Sequence, residues 1–391
     1  MTPRVLMQQA GTGRWLEFAG CRDILQTPAG AVVPALLAEV ESRVRHRALH
    51  AAGFVTYEAA RGLDPGLACH PPAVLPCAWF ALFEHRADGV ALPPHDAPSI
   101  AWQPSTGPDD YTETIRRIRE WIAAGDTYQV NYSYRLRGAV PDGGAAVDAL
   151  FRAMAARQQT GLGALLDTDA WAVCSASPEL FFTRRGRRVE SRPMKGTAPR
   201  SPSADTDAAT ARWLQASTKN RAENLMITDM VRNDLGRLAD TGSVRAEALF
   251  RVEPYPTVWQ MTSTVRGDTA AGLAELFRAL FPAASITGAP KRRTMEIIRD
   301  LEAHPREIYT GAIGFLEPSG DAQFNVAIRT AWVDKQRGIA EYGVGGGILW
   351  DSDPDEEYAE TELKARVVQT GMPAPDGNTG DVALLETLLW Q

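Results

Sequence analysis

The residues whose types and spacing could do chemistry fall into three groups. In the first, Ser177-Pro178-Glu179 opens an apolar run, and Lys195 follows sixteen residues later in Pro193-Met194-Lys195-Gly196-Thr197. A carboxyl group in a closed pocket becomes a general acid once burial raises its pKa, and a desolvated lysine amine can be a nucleophile. A solvated lysine at a surface turn is the plainer account of the same residues. The second group is acidic. Glu223 and Asp229 share one helical pattern, while Glu356, Glu357, Glu360 and Glu362 share another, with Glu357, Glu360 and Lys364 on one face. Carboxylates from two helices meeting at one point would suit Mg²⁺, which takes a few oxygen ligands plus water and substrate. Spacing alone describes a solvated face with a Glu–Lys pair equally well. The third group is Gly343-Val344-Gly345-Gly346-Gly347, whose backbone N–H groups could approach a carboxylate, or which simply makes a tight turn in a sheet. No helix opens from these glycines, so they are not a dinucleotide fingerprint. Arg329 lies among small residues and, if buried, needs an anionic partner from ligand or protein.

Elements must position these side chains. Hydrophobic patterning predicts strands over 53–57, 78–83 and 128–136, and helices over 33–44 and 111–124. Residues 86–108, rich in Pro, Asp and Gly, read as a surface connection. Strands joined by tight turns are expected over 171–193. Residues 221–238 predict an amphipathic helix with Leu225, Met226, Met230, Leu235 and Leu238 near one stripe. Another helix follows Gly288-Ala289-Pro290, with Pro290 at its first position. A hairpin of 311–315 and 324–333 would put Arg329 on a strand over 325–331, opposite in facing to Val326, Ile328 and Thr330. A further strand ends at Gly345-Gly346-Gly347. The last helix starts at Asp353-Pro354-Asp355-Glu356, an N-cap, N1 proline and N3 glutamate in sequence. Hairpins mixed with separate helices indicate an α+β fold with mainly antiparallel sheets. Residues 371–380 read as a linker, and 381–391 as a short apolar stub.

Bulk composition narrows the function classes. With 45% hydrophobic and 23% charged residues, the chain reads as an ordinary globular enzyme. A formal net charge of -7 gives no basic field for nucleic acid or an anionic membrane. The N-terminus lacks the apolar run of a signal peptide and no stretch is long enough to span a bilayer, so a cytoplasmic location is expected. Four Cys without CxxC spacing and six His without HxxxH or HExxH pairs argue for neither zinc nor a disulfide framework.

Taken in order, the motifs resemble the chorismate-utilising enzymes, a family comprising anthranilate, aminodeoxychorismate, isochorismate and salicylate synthases. The resemblance runs from about residue 53 to 366. It is carried by Gly125-Asp126-Thr127-Tyr128-Gln129-Val130-Asn131, Ser177-Pro178-Glu179, and Pro193-Met194-Lys195-Gly196-Thr197. It continues through Ala222-Glu223-Asn224-Leu225-Met226, Arg232-Asn233-Asp234, Ile286-Thr287-Gly288-Ala289-Pro290-Lys291 and Tyr309-Thr310-Gly311-Ala312, to the glycine run with Glu357, Glu360 and Lys364. Gln129 stands where isochorismate and salicylate synthases carry a water-activating Lys, which implies ammonia as the nucleophile. Lys195 stands where anthranilate synthases usually carry Ala, which implies that it adds to chorismate at C2 while the C4 hydroxyl leaves. Ammonia would then attack C4, giving 4-amino-4-deoxychorismate on the route to 4-aminobenzoate and folate.

The resemblance further implies that Glu179 protonates the leaving hydroxyl. Glu223 and Glu360 would ligate Mg²⁺, with Glu357 bound directly or through water. Arg329, Tyr309 and the N–H groups of Gly345 and Gly347 would hold the enolpyruvyl carboxylate, with Thr197 and Lys364 close by; Gly196, Gln260, Thr287 and Gly346 complete the substrate-binding set. Two departures stand out: Asn220 where some relatives have an acid, and Gln260 where anthranilate synthases usually have His. No Cys sits in a Gly-x-Cys-x-Gly setting, so the expected ammonia source is a separate glutamine amidotransferase subunit (a glutaminase). The tail resembles the opening strand of an aminodeoxychorismate lyase, fused to some relatives. The implied fold is one domain over 1–370, with an N-terminal portion spanning 1–108 and a catalytic core spanning 109–370. It would have four layers, α/β/β/α, with two orthogonally packed sheets. The alternatives are anthranilate synthase component I and a non-catalytic chorismate-binding scaffold.

Overall fold

The computed structural model describes residues 2–369 apart from 94, 96, 97, 142, 160, 256 and 257, so the expected linker and stub lie outside the described residues. Among the described residues, eighteen strands join in one hydrogen-bonded ladder, and every pairing is antiparallel. One half runs, neighbour to neighbour, through Gln129–Ala139, Ile339–Ile348, Thr330–Asp334, Trp171–Ser175, Ala164–Asp167, Arg4–Gln8 and Trp15–Thr27. The other continues through Ala78–Asp88, His50–Val55, Ala312–Leu316, Ala322–Val326, Leu180–Arg185, Arg188–Arg192, Val258–Asp268 and Met194–Pro199. The 13-residue strand Trp15–Thr27 belongs to both halves.

Strand alternation sorts the side chains into layers. Val5, Met7, Leu166, Val173 and Trp332 of the first half meet Phe54, Trp79, Ile313 and Phe315 of the second in one apolar layer. Their neighbours in sequence point outward. Leu6, Leu165, Cys174 and Val333 pack under the helices Pro108–Ala123 and Gly143–Gln158. Val55, Phe80 and Leu316 pack under Val33–Arg47 and Leu273–Leu280. The order is therefore helix, sheet, sheet, helix, as expected for the α+β class. The difference is that the two sheets are one ladder folded over itself.

Local sequence sets most boundaries and explains several departures. Asp353 caps the Pro354–Ala365 helix by accepting from Asp355 N–H (3.0 Å) and Glu356 N–H (3.1 Å), as read from the sequence. Ser217 accepts from Asn220 N–H, so the next acidic helix is Thr218–Gly236 and starts before Arg221. Its buried face is Asn224, Ile227, Thr228, Val231 and Leu235, and Leu225 of the expected stripe is exposed. Polar Asn224 and Thr228 belong to that inner face because they bond inside it, which a hydrophobicity pattern cannot register. Pro290 is extended and precedes the Lys291–Leu301 helix as its cap instead of opening it. The expected strand over 324–333 is two strands, Ala322–Val326 and Thr330–Asp334, so Arg329 lies in the break and not in mid-strand.

Candidate active site

That break is one of two short steps, side by side, that carry the chain directly from one half of the ladder to the other. Residues 327–329 carry it from Ala322–Val326 to Thr330–Asp334, and residues 176–179 carry it from Trp171–Ser175 to Leu180–Arg185. Ala176 N–H donates to Arg329 O (3.0 Å), and Val326 N–H to Glu179 O (3.0 Å). Ser177 Oγ donates to Val326 O at 2.6 Å. Arg329 takes φ 51 to make its step. A bulky residue there is held by its surroundings, a form of strain that clusters at functional positions. Glu179, on the other step, is 4% exposed and accepts from Ser285 Oγ at 2.5 Å. Burial pushes its pKa up to about 7, with Ser285 and the Lys195 charge opposing. It therefore holds a proton close to neutral pH and can give it.

Lys195 arrives from the far end of the second half, on Met194–Pro199, while Gln129–Ala139 and Ile339–Ile348 lie towards the far end of the first. The ends meet. A Cβ added to Gly347 would lie 2.5 Å from Lys195 Nζ and 3.0 Å from Gln129 Nε2, so glycine leaves the space the amine occupies. Buried Asn224 donates to Lys195 O (3.2 Å) and Met261 O (3.3 Å) and accepts from Ser263 Oγ (2.5 Å). The Lys195 backbone is thus fixed, while no hydrogen bond or ion pair holds its amine among the described residues. Gln129 is fully buried, with neither amide atom partnered. Leaving such a group unsatisfied costs about 1–3 kcal/mol, which marks a place for a ligand or water.

The glycine run lies inside Ile339–Ile348 and not after it. Pairing with Thr330–Asp334 ends at Tyr342, so from Gly343 on the strand pairs only with Gln129–Ala139. Lys364 Nζ donates to Gly345 O (2.9 Å) and pairs with Glu360 (2.6 Å). Arg329 Nη1 and the Tyr342 hydroxyl both donate to Lys364 O, at 3.2 and 3.1 Å. Tyr309 packs its ring on Gly343, with the Arg135 guanidinium 5.1 Å above it. Gln260 braces the Lys195 strand, donating to Gly196 O (2.8 Å) and accepting from exposed Thr197 Oγ1 (3.0 Å). Thr287 is buried and bonded to Ala283 O and Ala284 O, so it orders the wall and offers no free hydroxyl hydrogen.

Glu357 Oε1 accepts from Ser352 Oγ (2.6 Å), and its Oε2 lies 3.0 Å from where a Cβ on Gly346 would sit. Burial and then the Glu360 charge push Glu357 up to about 7. Burial raises Glu223 too, with Lys195 and Lys219 opposing and Glu360 and Asp351 adding to it. The Lys364 charge pulls Glu360 down. Half of the Glu360 side chain is accessible (50%), so it faces an open cleft although atoms crowd it on several sides. Asp229, by contrast, pairs with Arg232 on the exposed face (2.7 Å) and stands outside the site. Carboxylates from two helices, with the Glu360 charge raising both Glu357 and Glu223, fit a hard dication in kind. Among the described residues no three acids, His or Cys converge tightly enough to grip a metal alone. A cation there would take its other oxygens from substrate and water.

Sequence patterns did not single out Ser285 or the backbone-holding role of Asn224. Ser285 precedes the Thr287-Gly288-Ala289-Pro290 motif by two residues, and only the tertiary fold brings it to Glu179.

Comparison with known proteins follows the same lines. An aminodeoxychorismate synthase component 1 from Klebsiella aerogenes is 42% identical over 307 residues, covering 72% of this chain and 66% of that protein. An aminodeoxychorismate synthase from Streptomyces griseus is 42% identical over 316 residues, covering 76% and 42%. An anthranilate synthase component 1 from Streptomyces coelicolor is 40% identical over 286 residues, covering 72% and 55%. The chain thus spans 42–66% of the length of these relatives. Anthranilate synthase component I from Streptococcus pneumoniae has the same fold, with a TM-score of 0.76 at 23% identity over 94% of this chain and 91% of that one. So does the menaquinone-specific isochorismate synthase of Escherichia coli, at 0.74 and 18% over 94% and 89%. With residues 87–370 matching the family as a whole, the chain belongs to the chorismate binding enzymes.

Proposed function

We propose that the chain aminates chorismate at C4 to give 4-amino-4-deoxychorismate, with ammonia supplied by a separate glutamine amidotransferase subunit. The observation that carries this reading is the Lys195 amine, unbonded among the described residues, over Gly347 and beside the unsatisfied Gln129 amide. The amine attacks C2 as the C4 hydroxyl departs, and Glu179 gives that hydroxyl a proton so that it leaves as water. The proton shed by the new secondary amine returns to Glu179. Glu179 passes it to Lys195 when ammonia attacks C4 and the C2–N bond breaks. The ammonium formed at C4 then recharges Glu179. The sum is chorismate plus ammonia to aminodeoxychorismate plus water, and the internal nucleophile splits one hard substitution into two easier ones.

Arg329, Tyr309 and the N–H groups of Gly345 and Gly347 would receive the enolpyruvyl carboxylate, with Gly346 between them. Lys364, Thr287, Gly196, Thr197 and Gln260 would shape the wall around it. Glu223, Glu357 and Glu360 would hold Mg²⁺, which supplies positive charge against the ring carboxylate. The same reading places the chain in the cytoplasm, upstream of a lyase that yields 4-aminobenzoate.

The test is incubation of the purified chain with chorismate, Mg²⁺ and ammonium at mildly alkaline pH, with products identified by chromatography and mass. Aminodeoxychorismate from the unaltered chain, and none from Lys195→Ala, is the expected result. Anthranilate would assign the chain to tryptophan synthesis and leave Lys195 without this role. No turnover would favour a chorismate-binding scaffold.

A further inference from the structure

Four tyrosines cluster behind the acidic helix. Tyr111 packs against Tyr132, Tyr134 and Tyr358, with ring centroids 5.2, 5.7 and 5.4 Å away. The Tyr134 hydroxyl meets Thr361 Oγ1 at 2.8 Å. The Tyr111 hydroxyl has no hydrogen-bond partner among the described residues, although its side chain is fully buried. Phenylalanine would keep the same ring contacts without burying an unsatisfied hydroxyl, so packing does not explain why the residue is tyrosine.

The place of the hydroxyl, near the acidic cleft, supplies a reason. The same point, a Cβ built on Gly346, lies 3.9 Å from the Tyr111 oxygen and 3.0 Å from Glu357 Oε2. Burial and the nearby charges of Glu357 and Glu360 hold the phenol well above its ordinary pKa, so it keeps its hydrogen and can only strengthen a carboxylate by donating. The other Glu357 oxygen is already engaged by Ser352 Oγ.

We propose that Tyr111 is a positioning residue that donates to Glu357 Oε2 when the cleft is loaded, so that Ser352 and Tyr111 grip the carboxylate from both sides and orient it toward the cation. This rests on the metal-assisted reading above and names a residue that hydrophobic patterning alone assigns to the core. Outer partners that orient a metal-binding carboxylate typically change metal affinity 10–100-fold when removed.

The experiment uses the full chain with chorismate present and ammonia withheld, and titrates Mn²⁺ while free Mn²⁺ is followed by electron paramagnetic resonance. Unaltered chain, Tyr111→Phe and Tyr134→Phe are compared, with thermal melts to show that each is folded. Tyr111→Phe is expected to weaken Mn²⁺ about tenfold, and Tyr134→Phe to stay within about twofold, because its hydroxyl serves Thr361 and lies outside this grip. Unchanged affinity in Tyr111→Phe overturns the role of Tyr111 alone. An equal loss in both variants overturns it too, since ring packing would then be the cause. If the unaltered chain binds no Mn²⁺, the metal-assisted reading fails and this inference falls with it.

Discussion

Glu179 meets two opposed demands, because a carboxyl that must hold a proton near neutral pH has to be buried, and a buried carboxyl burdens the fold once it ionises. Its folded pKa, about 7, lies above the ordinary value of 4.5. A raised pKa means the folded state binds the proton more tightly. That contribution to stability is complete below about pH 4.5 and is lost as pH rises through 7. Glu179→Gln keeps the shape without titrating. Relative to the parent it should gain up to roughly 3 kcal/mol between pH 4.5 and 8, read from denaturant unfolding at both values, while its kcat falls about 10²–10⁴-fold. The sequence could point to Glu179 and Lys195 as candidates because short motif strings carry them. It could not point to Ser285, Asn224 or Tyr111, since a serine, an asparagine and a tyrosine acquire their roles from partners 106, 29 and more than 200 positions away.

Among the elements, the glycine-rich strand Ile339–Ile348 separates structural from chemical demands within five residues. A Cβ at Gly343 would lie 2.1 Å from Tyr309 Cγ, a ring wedged beneath Arg135. A Cβ at Gly347 would have as its nearest neighbours the far end of the Lys195 side chain and the Gln129 amide. Gly343→Ala is therefore expected to lose about 1–3 kcal/mol of stability. Gly347→Ala should melt close to the parent yet lose roughly 10²-fold in activity through a displaced nucleophile. A melt and a rate on each variant check both statements. Hydrophobic periodicity gave the helices with clean caps and the strands with clear alternation. It did not reveal the break at residues 327–329, because Asn325 to Ala331 alternates well enough to read as one strand. The break exists because the neighbours on either side belong to different halves of the ladder, and that is a long-range fact. The Ala204–Ala216 helix and the strand Arg245–Pro254 also went unread, since their exposed, charged positions blur the pattern, and Val258–Asp268 because its buried run includes polar Thr262, Ser263 and Thr264.

Across the whole molecule, the N-terminal strands are internal to the ladder. Ala78–Asp88 and His50–Val55 stand between Trp15–Thr27 and Ala312–Leu316, so a catalytic segment of residues 109–370 would lack interior strands. A chain without residues 1–27 would expose the long edge of Ala78–Asp88, the short edge of Ala164–Asp167 and part of the inter-sheet layer. It is expected to aggregate or to lose cooperative unfolding, seen by circular dichroism during urea titration. Fold class was legible from mixed hairpins and helices, and layer order from the family resemblance. The continuity through Trp15–Thr27 was not, because which strand neighbours which is decided by chain separations that no local pattern records.

That continuity does not by itself decide how the site is held. The Lys195 amine and Gly347 sit near opposite ends of a folded ribbon, like the two lips of a split ring. Yet the crossings at residues 176–179 and 327–329 rivet the two halves together beside that gap. The lips are therefore held like a riveted clasp, whose opening is fixed by two short pins of chain and not by the twist of the whole ring.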